Sequence, residues 1–326
     1  MRSFFGSDLV NNSRLYEKFC LASAKRDNRR RPFGNLRLNI ETTLACNSRC
    51  VFCSKQGFPL KAGTMSWDLY AKIIREAKEL GLREAILSVY GEPLLDRQFL
   101  RRARLTDEAG INFLFFTNGS LLTEEVSKEL LRLKKFTRIN FSVNAFDKST
   151  YEKVMVGLKR DVVYAHISKF LELKNALRPD LYVVVSCVLF EKNRDEKDKL
   201  RSYFQGLKGV NNVYFPMIRN RGGTLLDIEW SGEDVEFSPL SKRGHKLLPC
   251  KFLWEDLFIY WNGTVGVCCE DTAARRIIIG DLKKQSLSEV WTGAPMIALR
   301  ELHMNGCRAE HSVCGKTCTY NTIWLK

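Results

Sequence analysis

The chain has 326 residues, 45% of them hydrophobic, and a formal net charge of +15 from 52 basic and 37 acidic residues. That is enough apolar material for one large domain and a smaller one. No apolar run is long enough for a transmembrane helix, and Met1–Asp8 has no signal-peptide pattern. The expected setting is therefore cytoplasmic, and the wealth of cysteines (eleven, of which only Cys20 and Cys187 stand apart from two clusters) points to metal binding rather than to a disulfide framework. The positive balance favours anionic partners: a phosphorylated or carboxylated substrate, an acidic electron-donor protein, or nucleic acid.

Residues 1–35 read as a basic lead-in, with one helix at Leu9–Leu21 and the densest charge run at Arg26–Arg31. That run has no interleaved aromatics, so nucleic acid is not indicated, and its plain reading is a solvated arm. The lead-in is too short to be read as a separate peptide-binding domain. Leu36–Glu41 alternates apolar and polar residues and is predicted as the first strand. Directly after it come Cys46, Cys50 and Cys53, at C-x3-C-x2-C spacing, with Phe52 before the last. Zinc sites usually draw on two separated pairs. A triplet can instead hold three corners of a cubane iron–sulfur cluster and leave one iron open. The alternatives are three unrelated buried thiols or half of a zinc site.

This loop resembles the cluster loop of the radical S-adenosylmethionine (SAM) enzymes. The resemblance implies a 4Fe-4S cluster held by Cys46, Cys50 and Cys53, with SAM bound to the open iron. It further implies reductive cleavage of SAM to methionine and a 5′-deoxyadenosyl radical.

The chain then alternates helix and strand. Asp68–Leu80 places Leu69, Ile73, Ala77 and Leu80 on one helical face, with Ser66 as cap and Gly81 as stop. Glu84–Tyr90 is predicted as strand two, Arg97–Ala109 as a helix, and Ile111–Phe116 as a strand buried on both faces. Thr123 caps the next helix. Arg138–Asn144 is strand four, and 147–177 a helical stretch broken near Gly157. Leu181–Phe190, 194–206 and Asn211–Ile218 follow as strand, helix and strand. Repeated βα units imply parallel strands and right-handed crossovers. Periodicity thus predicts an α/β fold; the resemblance specifies a partial (β/α)6 TIM-like barrel over 36–218, with functional residues at the C-terminal strand ends.

At those ends lie further matches. Tyr90-Gly91-Glu92-Pro93 resembles the family's Gly-Gly-Glu-Pro segment, with tyrosine in place of the first glycine; this implies that Gly91, Glu92 and Pro93 hold the SAM amino group. Thr117-Asn118-Gly119 reads as a structural turn. Ser142 and Asn144, two apart at the end of strand four, match the family's ribose- and carboxylate-binding position, although Asn144 replaces the usual acid; the alternative is polar capping of a strand end. Arg219, or Arg221, is placed to bind a carboxylate or another anionic group, the alternative being surface arginines in a linker.

Residues 219–239 read as a linker and 240–326 as a second domain. Cys250-x12-Gly263-x4-Cys268 resembles the opening of the SPASM/twitch extension, with Asn262-Gly263 as a hairpin turn. The resemblance implies one auxiliary 4Fe-4S cluster on Cys250, Cys268, Cys314 and Cys318; Cys307 in place of Cys314, or a structural zinc, are alternatives. Cys269 is left spare and is a candidate hydrogen-atom donor. Cys187 is another, or a buried small residue. The four histidines show no paired ligand spacing.

The expected function is hydrogen abstraction from a small polar substrate (aminoglycoside-, sugar- or nucleoside-like), leading to dehydrogenation or epimerisation; an anionic group on that substrate is one option the positive charge allows. An acidic electron donor such as flavodoxin or ferredoxin is the expected partner, with no membrane involved. Peptide or protein maturation is the alternative, and an iron–sulfur electron carrier a minor one.

Overall fold

The computed structural model describes residues 33, 36–58, 60–216 and 249–315. The predicted helix at Leu9–Leu21, the arginines Arg219 and Arg221, and Cys318 lie outside the described residues. Six parallel strands stand side by side in chain order: β1 (Arg37–Ile40), β2 (Glu84–Ile86), β3 (Asn112–Thr117), β4 (Phe136–Ser142), β5 (Tyr182–Ser186) and β6 (Asn212–Tyr214). Between them run α1 (Trp67–Glu79), α2 (Phe99–Glu108), α3 (Glu124–Leu131), α4 (Lys148–Val154), α5 (Arg160–Leu177) and α6 (Lys197–Gly206). This is the partial (β/α)6 barrel expected from the sequence.

The helix signals act as read. The Ser66 hydroxyl accepts from Leu69 N–H and the Thr123 hydroxyl from Val126 N–H, satisfying donors that the first helical turn leaves unpaired. Gly157, at φ +100°, separates α4 from α5. Strands two and five are shorter than predicted, because the chain leaves the sheet at Leu87 and Cys187 to build the loops at the barrel mouth.

Alternate strand residues fill the layer under the helices: Leu38, Ile40, Ala85, Phe113, Phe115, Ile139, Phe141, Val183 and Val185 are all buried in one cluster. The other face of the sheet carries Asn140, Ser142, Ser186, Phe116 and Tyr214. Ile111–Phe116 is therefore buried on one face, not on both: Phe113 and Phe115 are inside, while Phe116 is 39% exposed. An unbroken apolar run does not distinguish core from an apolar wall of an open barrel.

Beyond residue 249 come α7 (Phe252–Glu255), β7 (Asp256–Ile259), β8 (Thr264–Gly266), β9 (Ile278–Asp281), α8 (Leu287–Thr292) and α9 (Ala294–Met304). The predicted hairpin is present, with Gly263 at φ +92° between antiparallel β7 and β8. β7 pairs in parallel with β1, Arg37 opposite Asp256 through Ile40 opposite Ile259. The segment read as a second domain thus continues the barrel's own sheet, in the order β6-β5-β4-β3-β2-β1-β7-β8-β9. Side chains fasten the join. Arg37 donates to both Asp256 oxygens at 2.9 and 3.0 Å, and Asn39 to the same carboxylate at 2.7 Å. On α1, Lys72 donates to the Leu282 and Gln285 carbonyls at 2.6 Å each, and Glu76 accepts from Leu287 N–H at 2.8 Å.

Candidate active site

The loop bearing the three cysteines leaves the C-terminal end of β1 and is held on all sides. Leu44 N–H donates to the Gly63 carbonyl at 2.9 Å, and Lys55 Nζ to the Leu44 carbonyl at 2.9 Å. Its far edge pairs with the turn after α4: Arg49 N–H donates to the Val156 carbonyl at 2.8 Å and Val51 N–H to that of Val154 at 3.0 Å. A Cβ on Gly157 would stand 2.8 Å from the Asn47 carbonyl oxygen, so that turn needs its glycine. Asn118 Nδ2 donates to Asn47 Oδ1 at 2.9 Å, and Asn47 Nδ2 to Ser120 Oγ at 2.8 Å, binding the loop to the turn after β3. The role assigned to Thr117-Asn118-Gly119 is thus visible as contacts.

Cys46, Cys50 and Cys53 are all reduced and half-buried. Ser48 N–H donates to Cys46 Sγ at 3.5 Å, and the Ser48 hydroxyl lies 3.0 Å from Cys50 Sγ. Burial, and then the neighbouring thiols, push the Cys50 thiol up to about 12; burial also raises Cys46. Thiols of this kind bind a metal centre as thiolates, whose charge the metal neutralises, and Ser48 is set to donate to two of the three sulfurs. Among the described residues no three His, Cys, Asp or Glu side chains close on a single ion; an iron–sulfur cluster poses a different requirement, since its ligand sulfurs sit on separate irons. The donor set fits a 4Fe-4S cluster with one iron free of protein sulfur.

The Gly91-Glu92-Pro93 segment is docked on this loop. Glu92 N–H donates to the Ala45 carbonyl at 2.8 Å. Gly91 sits at φ +83°, and a Cβ there would collide with the Thr43 carbonyl oxygen and stand 2.8 Å from that of Ala45. Tyr90, in place of the first glycine, points its hydroxyl to Ser54 Oγ at 2.5 Å. The exit of the segment is fixed by a fully buried ion pair, Arg102 to Asp96 at 2.7 Å.

The Glu92 carboxylate is buried and accepts from Thr117 Oγ1 (2.8 Å), Asn118 N–H (2.7 Å) and Leu94 N–H (3.2 Å). Burial outweighs these donors and pushes it up to about 7. A raised carboxyl means that the folded chain retains a proton the unfolded chain releases, so this group's contribution favours folding at low pH and is lost as pH rises from the usual carboxyl range through about 7. Binding of an ammonium group requires the ionised form. SAM affinity is therefore expected to rise with pH through neutrality and to lose that dependence in Glu92→Gln, as equilibrium dialysis at pH 6 and pH 8 would show.

At the end of β4 the two candidates differ. Asn144 is buried with both ends of its amide engaged: Oδ1 accepts from Val188 N–H at 2.8 Å, and Nδ2 lies 3.1 Å from Met155 Sδ. Ser142 is half-buried, and its hydroxyl has no hydrogen-bond partner among the described residues. Cys187 is buried in the core, where burial raises its thiol far above the ordinary range, in keeping with the buried-residue reading.

Two histidines that spacing did not single out accept backbone bonds from the segments that carry later cysteines. His303, fully buried on α9, accepts from Cys250 N–H at 3.1 Å through Nδ1, and burial lowers its pKa to about 3. His311 Nδ1 accepts from Val313 and Cys314 N–H at 3.2 Å each. Burial lowers the His311 pKa against the opposing charge of Asp271, whose N–H donates to the Cys268 carbonyl. These bonds order the backbone at Cys250, Cys268 and Cys314, and cysteine sulfur is the donor type that an iron–sulfur cluster takes. Cys269 is half-buried with its thiol 3.9 Å from Glu270 Oε1, and Cys307 lies 3.7 Å from the Asn305 carbonyl.

A second feature escaped the sequence reading. Glu41, fully buried at the end of β1, accepts from Arg275 Nη2 at 2.8 Å on each oxygen. Nothing local in either stretch pairs residues 234 positions apart.

Sequence comparison agrees with this geometry. The profile of the radical SAM superfamily matches residues 40–201, and that of the SPASM iron–sulfur cluster-binding domain matches 250–319. A tungsten-containing aldehyde ferredoxin oxidoreductase cofactor-modifying protein of Pyrococcus furiosus is 24% identical over 290 residues, 78% of this chain and 80% of its own. A probable GTP 3′,8-cyclase of Saccharolobus solfataricus is 27% identical over 66% of this chain and 70% of its own. Among solved structures, BtrN in complex with AdoMet and 2-DOIA superposes with a TM-score of 0.60 at 17% identity, covering 88% of this chain and 97% of BtrN. Streptococcus suis SuiB bound to precursor peptide SuiA gives 0.65 at 14% identity, covering 86% of this chain and 69% of SuiB.

Proposed function

The chain belongs to the radical SAM superfamily and carries a SPASM iron–sulfur domain, and on that premise we propose that it abstracts a hydrogen atom from a small polar substrate. That substrate is aminoglycoside-, sugar- or nucleoside-like, and the outcome is dehydrogenation or epimerisation. The observation behind the SAM site is the docking of Gly91 and Glu92 on the cysteine loop. When bound, the cluster supplies the electron that cleaves SAM to methionine and a 5′-deoxyadenosyl radical.

In this reading Cys46, Cys50 and Cys53 hold the cluster, and Glu92 accepts from the SAM ammonium beside Gly91 and Pro93. The unengaged Ser142 hydroxyl contacts the ribose or carboxylate, with Asn144 shaping the strand end behind it. Arg219 is assigned to the anionic end of SAM or substrate. Cys250, Cys268, Cys314 and Cys318 hold the auxiliary cluster, and Cys269 is the hydrogen-atom donor if the outcome is epimerisation. A flavodoxin- or ferredoxin-like partner delivers electrons in the cytoplasm. No helix among the described residues is long and apolar enough to cross a membrane.

The face of the sheet away from the helices supports a polar, hydrogen-bonding substrate. Ser186 Oγ donates to Asn140 Oδ1 at 2.9 Å. Near them Phe116 and Tyr214 are 39% and 41% exposed, offering ring surface to a sugar or base. Peptide maturation is the second reading, supported by the likeness to SuiB, which is bound to a precursor peptide.

The test is anaerobic reconstitution with iron and sulfide, followed by dithionite and SAM. 5′-Deoxyadenosine is expected, with about eight irons per chain for two clusters. Absence of 5′-deoxyadenosine from iron-loaded protein would overturn the reading.

A further inference from the structure

The Glu41 carboxylate collects donors from three separate parts of the site. Arg275 reaches it from the segment after Cys268 and Cys269, and Trp261 N–H donates to it at 3.3 Å from the β7–β8 hairpin. The Tyr90 backbone N–H, at the head of the Gly91-Glu92-Pro93 segment, is near enough to favour its charged form. Glu41 is also the first residue after β1 on the way to the cysteine loop.

Arg275 is held as tightly. Its guanidinium lies 3.9 Å over the Tyr260 ring, its Nε donates to the Thr272 carbonyl at 3.2 Å, and its N–H to the Asp271 carbonyl at 2.6 Å. Its φ of +52° makes it the one non-glycine residue in the left-handed region among the described residues. A side chain disfavours that conformation, which persists only where surrounding contacts over-determine it.

We propose that Glu41 and Arg275 are positioning residues that set the Cys268–Asp271 segment in register with the SAM-binding loop at Tyr90–Pro93. Disturbing the pair therefore weakens SAM binding and does not act through folding alone. The proposal rests on the radical SAM reading above.

A second ion pair on β1 supplies a control. Arg37 and Asp256 form an ion pair between β1 and β7, at the opposite end of β1 from Glu41, and neither is bonded to either loop. If the Glu41–Arg275 pair merely staples the segment beyond residue 249 to β1, then loss of either pair should act alike.

The experiment uses full-length protein with both clusters reconstituted, as wild type, Glu41→Gln, Arg275→Lys, the double variant and Asp256→Asn. Thermal midpoint, SAM Kd by anaerobic equilibrium dialysis, and the change in the EPR spectrum of the reduced protein on adding SAM are measured. Glu41→Gln and Arg275→Lys are each expected to weaken SAM binding on the order of tenfold and to diminish the SAM-induced spectral change. The double variant should be no weaker than the worse single one, because both break the same contact. Asp256→Asn should lower the thermal midpoint and leave the SAM Kd at the wild-type value. Should Glu41→Gln fail to fold, Arg275→Lys decides the matter, since it keeps the charge but loses the planar stack on Tyr260. An unchanged Kd in Arg275→Lys, or an equal shift in Asp256→Asn, overturns the proposal. Failure of the wild type to bind SAM is a different result and overturns the functional reading instead.

Discussion

Cys50→Ala is expected to bring 5′-deoxyadenosine formation down to background, a loss of roughly a thousandfold or more. It should also remove about four irons per chain while the auxiliary cluster remains. Two thiolates cannot hold a cubane that needs three, and no other ligand on this loop is at hand to replace the third. The fold should survive. Cys50 Sγ touches Met155 Sδ at 3.3 Å and Ser48 Oγ at 3.0 Å, so truncation leaves a small gap, worth about 1–2 kcal/mol. The backbone bonds from Arg49 and Val51 to the turn after α4 are untouched. Cys187→Ala, which removes a thiol buried in the core, should retain both clusters and SAM cleavage. Iron analysis, circular dichroism and product chromatography separate these outcomes.

Gly91→Ala carries the second-largest expected effect. The residue is at φ +83°, where a side chain costs about 1–2 kcal/mol. Its new methyl would also run into the Thr43 carbonyl, and overpacking against rigid backbone adds about 1–3 kcal/mol. The relief available is for the Tyr90–Pro93 segment to lift off the cysteine loop, breaking the bond from Glu92 N–H to the Ala45 carbonyl. SAM binding should then fall by at least about tenfold, with the iron content unchanged. A wild-type SAM Kd in Gly91→Ala would show that the segment does not touch the cofactor.

What was legible in advance was local. Three cysteines within eight positions announce their chemistry because their ligand geometry is written in neighbouring residues. Ser66, Thr123 and Gly157 mark helix ends for the same reason: cap and turn are built within four residues. Glu92 could be assigned to a cofactor, but not its burial or its raised pKa, which come from β3 closing over it. Asn144 and Ser142 looked equivalent in a strand of period two. Only Val188, arriving from the next βα unit, shows that one amide is spent and one hydroxyl is not. His303 and the Glu41–Arg275 pair were illegible altogether, since each joins segments with no common pattern. The nine-stranded sheet was missed for a related reason. β7 reads as the start of a hairpin, and nothing in its sequence says that its other edge belongs to β1.

That pairing has a consequence for how the protein is made. Arg37 and Asp256 are 219 positions apart, so at ribosomal speeds roughly ten to forty seconds pass between the emergence of the first strand and that of its outer neighbour. Throughout that interval the nascent barrel presents a bare edge of peptide groups beside the very loop that must receive iron. Chaperone capture, or misassembly of one growing chain with another, would find its opening there.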